Sequence, residues 1–271
     1  MNPGSSEVQE QAAAPQGRQV GFRLPLAKPV VTYVLLGIIL VVFVVDLVLA
    51  QLGGNDVLFL FGAQWNQAVA TGWYWQLLTS TFLHAGLSHL AFNCYALYLL
   101  GRDTEGLYGS LWFTVIYFLS AVAGSLTWYV FGGLAPSVGA SGAIFGLIGA
   151  EAAFFLRNRR LFGVYGQQRL RNVVVLIVIN VALSFAVPNI NILAHFGGLA
   201  AGFLVGLFMA PCYAVEWAPE GSMDPRSGAM LAAPTPLVVD TRANRDRFLA
   251  IALTVVILIG LVMAGNQRWV A

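Results

Sequence analysis

The sequence predicts an all-α, polytopic membrane protein, a bundle of helices that crosses a bilayer several times. Of its 271 residues, 58% are hydrophobic and only 10% are charged. A soluble domain has about 25% charged residues, so the composition excludes an ordinary soluble protein. Apolar runs separated by polar segments recur along the chain, and most approach the roughly 20 residues that a helix needs to cross a bilayer.

The apolar runs predict seven spans in four parts of the chain. Residues 1–28 form a flexible cytosolic tail, because a segment poor in aromatic residues cannot build a core. Residues 29–211 form a six-helix core, residues 212–247 a polar cytosolic linker, and residues 248–271 the seventh span with the C-terminus. The spans are Val30–Ala50, His89–Leu100 with a continuation through Glu105, Ser110–Phe131, Ser141–Leu156, Asn172–Val187 (ended by Pro188), Asn191–Ala210 and Phe248–Ala264.

A long connection, residues 51–88, separates the first two spans. Its aromatic side chains, which include Trp65, Trp73, Tyr74 and Trp75, favour the membrane interface. We therefore expect short helices lying in the plane of the membrane there.

Basic residues give the expected orientation, because cytosolic loops carry an excess of Lys and Arg. With a cytosolic N-terminus, the predicted cytosolic segments, including the tail with Arg18 and Arg23, hold 13 of the 14 Lys and Arg residues, and only Arg268 lies outside. The second, fourth and sixth spans then start at the outer surface. Four polar side chains in their first turns lie in the outer half of the membrane: His89, Asn93, Ser141 and His195.

Ser141 and His195 supply a minimal nucleophile and base. A serine hydroxyl attacks when a base takes its proton, and histidine titrates in the required pH range. Alone, a serine among small residues favours helix packing, and the alternative for His195 is a histidine satisfied within the bundle. Ionisable residues inside a membrane are costly and mark function, so the combination favours a catalytic site.

His89 and Asn93 lie four residues apart on one helical face and are candidate donors to an oxyanion. Asn93 carries an amide NH₂ group, and the amide of Ser141 is a third donor because the first amides of a helix lack intrahelical acceptors. The alternative is that His89 and Asn93 form an interhelical hydrogen-bonded pair of purely structural value. His84 is expected to brace the outer connection.

These residues carry a resemblance to a known family. Residues 139–142 (GASG) and 194–198 (AHFGG) resemble the motifs of the rhomboid intramembrane serine proteases. Residues 84–93 (HAGLSHLAFN) resemble the opening of that family's second helix, and Glu105 resembles the acidic residue near its inner end. The resemblance covers about residues 30–210, and the seventh helix resembles the variant of the family that has one span after the core.

The resemblance implies a six-helix core with a dyad of Ser141 as nucleophile and His195 as base, without a third acidic member. It also implies oxyanion stabilisation by His89, Asn93 and the Ser141 amide. The supporting residues are Gly139, Gly142, Phe145 and Gly198. Two departures are visible: Trp75-Gln76 replaces a Trp-Arg pair, which puts the anchoring of the first loop in question, and Phe145 lacks the hydroxyl of the usual Tyr.

Small residues recur every four positions in the fourth and sixth spans. Such stripes let two helices approach closely, and glycine costs about 1 kcal/mol relative to alanine in a helix interior. We predict that the stripes face each other and set the Ser141–His195 distance; the alternative is that they contact lipid or reflect the high glycine content of membrane helices. The stripes are Gly142, Gly146 and Ala150 in the fourth span, and Ala194, Gly198, Gly202 and Gly206 in the sixth.

The leading functional prediction is an endopeptidase that cuts a transmembrane segment of another membrane protein near its outer end. The alternative is a non-catalytic rhomboid-like protein that binds client helices, although such proteins normally lack the serine or the histidine. A transporter would need a polar path, for which Glu151 and Asn180 are candidates; Glu151 is instead expected to make one interhelical hydrogen bond.

The expected partners are transmembrane substrates and the lipid bilayer, in a bacterial plasma membrane. We expect no metal, because no C-x-x-C pair or His/Cys cluster occurs, and we also expect no nucleic acid and no cofactor. Cys94 and Cys212 are assigned to an outer helix half and an inner helix end. A disulfide, whose Cα atoms lie about 6 Å apart, is therefore not expected.

Overall fold

The computed structural model describes residues 26–53, 57–186, 190–224 and 228–270, and the predictions for the tail with Arg18 and Arg23, and for Val187 and Pro188, lie outside these ranges. The described chain is mostly helical, which confirms the predicted helical bundle. The elements are α1 (Val30–Gln51), α2 (Val57–Gly62), α3 (Asn66–Ala70), α4 (Gln76–Thr79), α5 (Leu87–Ala96), α6 (Arg102–Tyr108), α7 (Ser110–Phe131), α8 (Ser141–Arg157), α9 (Arg159–Ala186), α10 (Ile192–Met209), β1 (Tyr213–Ala218), β2 (Thr235–Asp240) and α11 (Asn244–Val270).

Four described helices, α1, α7, α10 and α11, are long and apolar enough to cross a membrane by length and composition. The second predicted span consists of α5, a π-helical segment at Leu97–Gly101 and α6, and the backbone stays helical at both junctions. The fourth, α8, has 17 residues, of which 13 are buried. A helix that is apolar on all sides lies inside a bundle, and α8 packs between α7 and α10.

The fifth predicted span is part of a longer helix than expected. Helix α9 begins at Arg159 and not at Asn172, so the basic segment that was predicted as a loop is helical. Its Arg, Gln and Leu residues have high helix propensity, which explains the difference. The helix kinks at Gly163, where φ is +48°.

The polar linker also differs from the prediction. It contains the paired strands β1 and β2, and α11 begins at Asn244, four residues before the predicted start. Valine, tyrosine and tryptophan favour strands, and both strands carry such residues. The described residues between 26 and 214 and between 239 and 270 form one compact unit, and those between 215 and 238 belong to another.

The two small-residue stripes face each other, as predicted. A Cβ atom at Gly198 would overlap the carbonyl oxygen of Gly142, and one at Gly202 would overlap that of Gly146. One turn further, Gly206 lies against Ala150. The backbones of α8 and α10 are therefore in direct contact over three turns, an approach that larger residues would prevent.

Glu105 caps the first turn of α1 and joins it to two other helices. Its carboxylate accepts hydrogen bonds from the amides of Val31 and Thr32 at 2.9 and 2.8 Å and from the Thr32 hydroxyl at 2.7 Å. It also accepts one from the Ser110 hydroxyl at the start of α7, at 2.7 Å. A negative charge at a helix N-terminus is stabilising, so Glu105 ties together α1, α6 and α7.

Candidate active site

Ser141 and His195 lie within hydrogen-bonding distance although 54 positions separate them. Ser141 is the first residue of α8 and His195 lies in the first turn of α10. The Oγ atom of Ser141 is 2.9 Å from Nε2 of His195. The His195 side chain is largely buried. This distance is suitable for proton transfer from a serine hydroxyl to an imidazole.

Close packing of three helices brings the pair together. Gly142 follows the serine, Gly198 lies one turn after the histidine, and the backbones of α8 and α10 are in direct contact at these two residues. Gly124 of α7 packs against both of these helices. A Cβ at Gly124 would lie 2.7 Å from the carbonyl oxygen of Ala194 and 3.5 Å from Cα of Gly142. Backbone contacts thus hold the helices that carry Ser141 and His195 close together.

Phe145 lies one turn after the serine and stacks on the imidazole. The ring centroids of Phe145 and His195 are 4.2 Å apart and the planes differ by 13°. Nδ1 of His195 has no hydrogen-bond partner among the described residues. The ring orientation therefore rests on this stack and on Ser141, and neither contact needs the hydroxyl that Phe145 lacks.

His89 and Asn93, both on α5, lie beside the segment that leads into Ser141. A Cβ at Gly139 would lie 2.8 Å from the His89 ring and 3.9 Å from Nδ2 of Asn93. The φ angle of Gly139 is +119°, a conformation that glycine adopts without strain. Nδ2 of Asn93 donates to the main-chain carbonyl oxygen of His89 at 2.9 Å, within α5 and not between helices as the structural alternative predicted. An amide NH₂ has two hydrogens, so one remains for another acceptor.

The start of α8 supplies a further donor. The amide of Ile144 bonds to the carbonyl of Ala140 at 3.0 Å, so the Ser141 amide precedes the first intrahelical bond. Such first-turn amides lack intrahelical acceptors and lie at the positive end of the helix dipole. The Ser141 amide is therefore without an intrahelical acceptor, and the His89 ring and the Asn93 amide lie beside Gly139, two residues before it.

Asn191 is a site residue that the sequence analysis overlooked. Its Oδ1 accepts from the amide of Ala194 at 3.0 Å, which caps the helix that carries His195. Its Nδ2 donates to the hydroxyl of Ser137 at 2.8 Å, in the turn before Ser141. Asparagine directly before an apolar run is a signal for a helix start and would have indicated the cap.

Gln76 anchors the connection between α1 and α5, at the position where the family pattern has arginine. Its side chain is fully buried, and its Oε1 accepts from the amide of Trp65 at 3.0 Å. Its Nε2 lies 3.4 Å from the carbonyl oxygens of Leu60 and Phe61. The neutral amide therefore joins three parts of the connection, which also contains the expected short helices.

His84 lies beside His89 and outside the Ser141–His195 pair. The His84 and His89 ring centroids are 5.1 Å apart. Burial, with a smaller effect of the neighbouring His89, lowers the pKa of His84 to about 4, so its ring is neutral at pH 7. The expectation that His84 braces the connection stays a prediction.

Glu151 lies in α8 and joins it to a neighbouring helix. Its carboxylate makes an interhelical contact, as expected, but the contact is an ion pair with Arg169 of α9 at 3.0 Å, and Arg169 also pairs with Asp103 at 2.7 Å. Asn180 donates to the carbonyl of Leu176 in its own helix. Both transporter candidates are thus engaged in local contacts, which do not support a polar path.

Among the described residues, no group of three or more His, Cys, Asp or Glu side chains is arranged to hold a metal ion. Cys94 and Cys212 are free thiols.

The model of the Rhomboid domain matches residues 71–212, about half of the chain. The chain belongs to the rhomboid family. This rhomboid is 40% identical over 180 residues to Rhomboid protease GluP of Bacillus subtilis (strain 168). The matched region covers 65% of this chain and 34% of that protein. It is 32% identical over 220 residues to Rhomboid-like protease 1 of Toxoplasma gondii, with 74% of this chain and 71% of that protein covered.

A third relative is RHOMBOID-like protein 1 of Arabidopsis thaliana, 36% identical over 134 residues, 49% of this chain and 33% of that protein. This rhomboid thus spans about a third of the length of the Bacillus and Arabidopsis relatives. Membership of this family, together with the apolar helices, shows that this rhomboid is an integral, multi-pass membrane protein. The matched region contains Ser141, His195, His89 and Asn93.

Proposed function

We propose that this rhomboid is an intramembrane serine endopeptidase that hydrolyses a peptide bond in or near the outer end of a transmembrane segment. The observation that carries the proposal is the 2.9 Å distance from Oγ of Ser141 to Nε2 of His195. Two of the relatives bear the name protease, which supports the same class of activity.

In the proposed reaction, Oγ of Ser141 attacks the scissile carbonyl while Nε2 of His195 takes the hydroxyl proton. The protonated imidazole then gives this proton to the leaving amine, and an acyl-enzyme remains on the serine. Water, deprotonated by the same imidazole, hydrolyses the ester and restores the hydroxyl.

The tetrahedral intermediates carry a negative oxygen that needs donors fixed in advance. The free hydrogen of the Asn93 amide, the His89 ring and the Ser141 amide are the proposed donors. Their support is the position of both side chains beside Gly139, two residues before the serine.

A membrane helix is a difficult substrate because its carbonyls are already hydrogen-bonded. The substrate must unwind locally before attack, and glycine or proline near the cut would lower that cost. We infer a small residue before the cut, a cytosolic N-terminus and a site that opens to the extracytoplasmic side of a bacterial plasma membrane. The support for this orientation is the distribution of basic residues.

Quantitative membrane proteomics of cells with the wild-type chain and with Ser141→Ala tests the proposal. Client proteins should appear as fragments only with the wild type, and the new termini should lie in or near transmembrane segments. Identical fragments in both cells would contradict catalysis by Ser141. Clients that co-purify uncut with both chains would support the non-catalytic alternative.

A further inference from the structure

The last turns of α11 hold the end of α7. The guanidinium of Arg268 donates to the carbonyl oxygen of Gly132 at 2.7 Å and to that of Val130. Nε1 of Trp269 donates to the carbonyl oxygen of Tyr129 at 2.7 Å. The last four carbonyls of a helix have no partner within it, so the bonds to Val130 and Tyr129 satisfy acceptors that α7 leaves open, and Gly132 is the residue that follows the helix.

Asn266 adds two side-chain bonds to the same contact. Its Oδ1 accepts from the hydroxyl of Tyr129 at 2.6 Å, and its Nδ2 donates to the hydroxyl of Tyr74 at 2.9 Å. A Cβ at Gly265 would overlap the buried Tyr129 ring, so the backbone of α11 lies directly on it. The α11 tip is defined as Asn266, Arg268 and Trp269.

The connection before α5 holds the same end of α7. Nδ2 of Asn66 lies 3.2 Å from the carbonyl oxygen of Trp128 and 2.9 Å from that of Gly133. Nε2 of Gln64 donates to the carbonyl oxygen of Ser125 at 2.8 Å. The connection and the α11 tip thus bind neighbouring carbonyls between residues 125 and 133, which holds this end of α7 from two distant parts of the chain.

This end of α7 touches the backbone beside both members of the dyad. Gly124 packs against Ala194, which precedes the histidine, and against Gly142, which follows the serine. Thr127 lies against Gly197, where even a Cβ would overlap its hydroxyl. A shift of α7 would therefore move α8 and α10 at the level of the site.

We propose that the α11 tip positions the dyad through α7. The inference rests on the proposed function and extends it, because the Rhomboid match ends at residue 212 and α11 lies beyond it. A basic residue near a helix end can also extend to the membrane surface as an anchor. Arg268 differs from such an anchor, since it binds two main-chain carbonyls of another helix.

Arg268→Ala in the full chain is the direct test, with Gln267→Ala as the matched control in the same exposed turn. A fluorophosphonate titration counts the reactive serines, and kcat is then expressed per reactive serine. Misplacing reacting groups by about 1 Å can cost on the order of 10²-fold, and an indirect shift should cost about tenfold in Arg268→Ala. Gln267→Ala should match the wild type, and Arg268→Lys should recover part of the rate because lysine keeps donors but not the two-pronged guanidinium.

A role in folding alone would lower the number of reactive serines or the Tm without changing kcat per reactive serine. That result, or equal rates in Arg268→Ala and wild type, would overturn the inference while leaving the proposed function intact. If Arg268→Ala does not fold, Tyr74→Phe, which removes only the bond to Asn266, should still lower kcat per reactive serine, and an unchanged value there would overturn the inference. A wild type no faster than Ser141→Ala would instead overturn the proposed function, and with it this inference.

Discussion

Gly198 of α10 lies directly against the carbonyl oxygen of Gly142 in α8, and a Cβ at Gly198 would overlap that oxygen. The obstacle is backbone, which cannot rotate aside as the end of a flexible side chain can. Because Gly142 follows Ser141 and Gly198 lies one turn after His195, any side chain at this level would separate the dyad.

Gly198→Ala should therefore slow turnover strongly, and Gly198→Val should slow it further. A displacement near 1 Å costs on the order of 10²-fold in rate. Turnover and Tm of the purified proteins in detergent provide the measurement. The control is Gly260→Ala in α11, where a Cβ meets no atom within 4 Å; it should keep wild-type turnover. Wild-type values for Gly198→Val would show that this contact does not set the geometry.

Substitutions of Ser141 and His195 should have non-additive effects on the rate of proteolysis. Ser141→Ala and His195→Ala should each abolish proteolysis without preventing membrane insertion. Since a nucleophile and its base act as a unit, the double variant should be hardly slower than either single variant. Cleavage of a membrane substrate by purified Ser141→Ala at a substantial rate would refute the dyad.

Much of the dyad's surroundings could be predicted from sequence because the relevant signals are periodic. The glycines at four-residue intervals predict the α8–α10 contact, and the position of each polar residue within its apolar run places Ser141 and His195 at one depth. Because Phe145 lies four residues after Ser141 in the same helix, the helical repeat places the two residues on one face of α8. These patterns depend on the helix period and not on the details of distant parts of the chain.

Other features lack a periodic signal. The pairing of Asn191 with Ser137 joins two short polar turns, and the ion pair of Glu151 with Arg169 joins helices whose rotation the sequence does not specify. The α11 tip binds main-chain carbonyls, which every residue carries, so no residue type in α7 indicates it. The strands β1 and β2 are short and lie in a segment rich in proline and glycine, which favours a loop interpretation.

The oxyanion donors give a third prediction. Loss of one such donor typically costs about 10²–10³ in rate. Asn93→Ala and His89→Ala should therefore slow turnover strongly, while Ser141 still reacts, more slowly, with a fluorophosphonate probe. Unchanged turnover in both variants would leave them only the structural role that the Asn93–His89 bond also permits.

Substitution of Glu105 should lower the free energy of unfolding without changing the catalytic rate. Glu105 is fully buried and accepts four hydrogen bonds, three of them from the start of α1. Glu105→Gln keeps the shape, but it removes the charge and places an NH₂ group opposite donors. Hydrogen bonds to charged groups contribute about 1.5–3 kcal/mol, so the free energy of unfolding should fall by an amount of that order.

The measurement is unfolding of purified Glu105→Gln in detergent, together with kcat per reactive serine. Asp103→Asn is the control: Asp103 is also an acidic residue of α6, but its side chain is about half exposed in its ion pair with Arg169, and exposed pairs contribute about 0–1 kcal/mol. Glu105→Gln should lose stability and keep its kcat, because the dyad lies at the opposite end of α8 from the helix ends that Glu105 joins. Equal stability of the two variants would mean that the carboxylate does not hold α1 to α6 and α7, and a lower kcat at full stability would mean that it acts on the site.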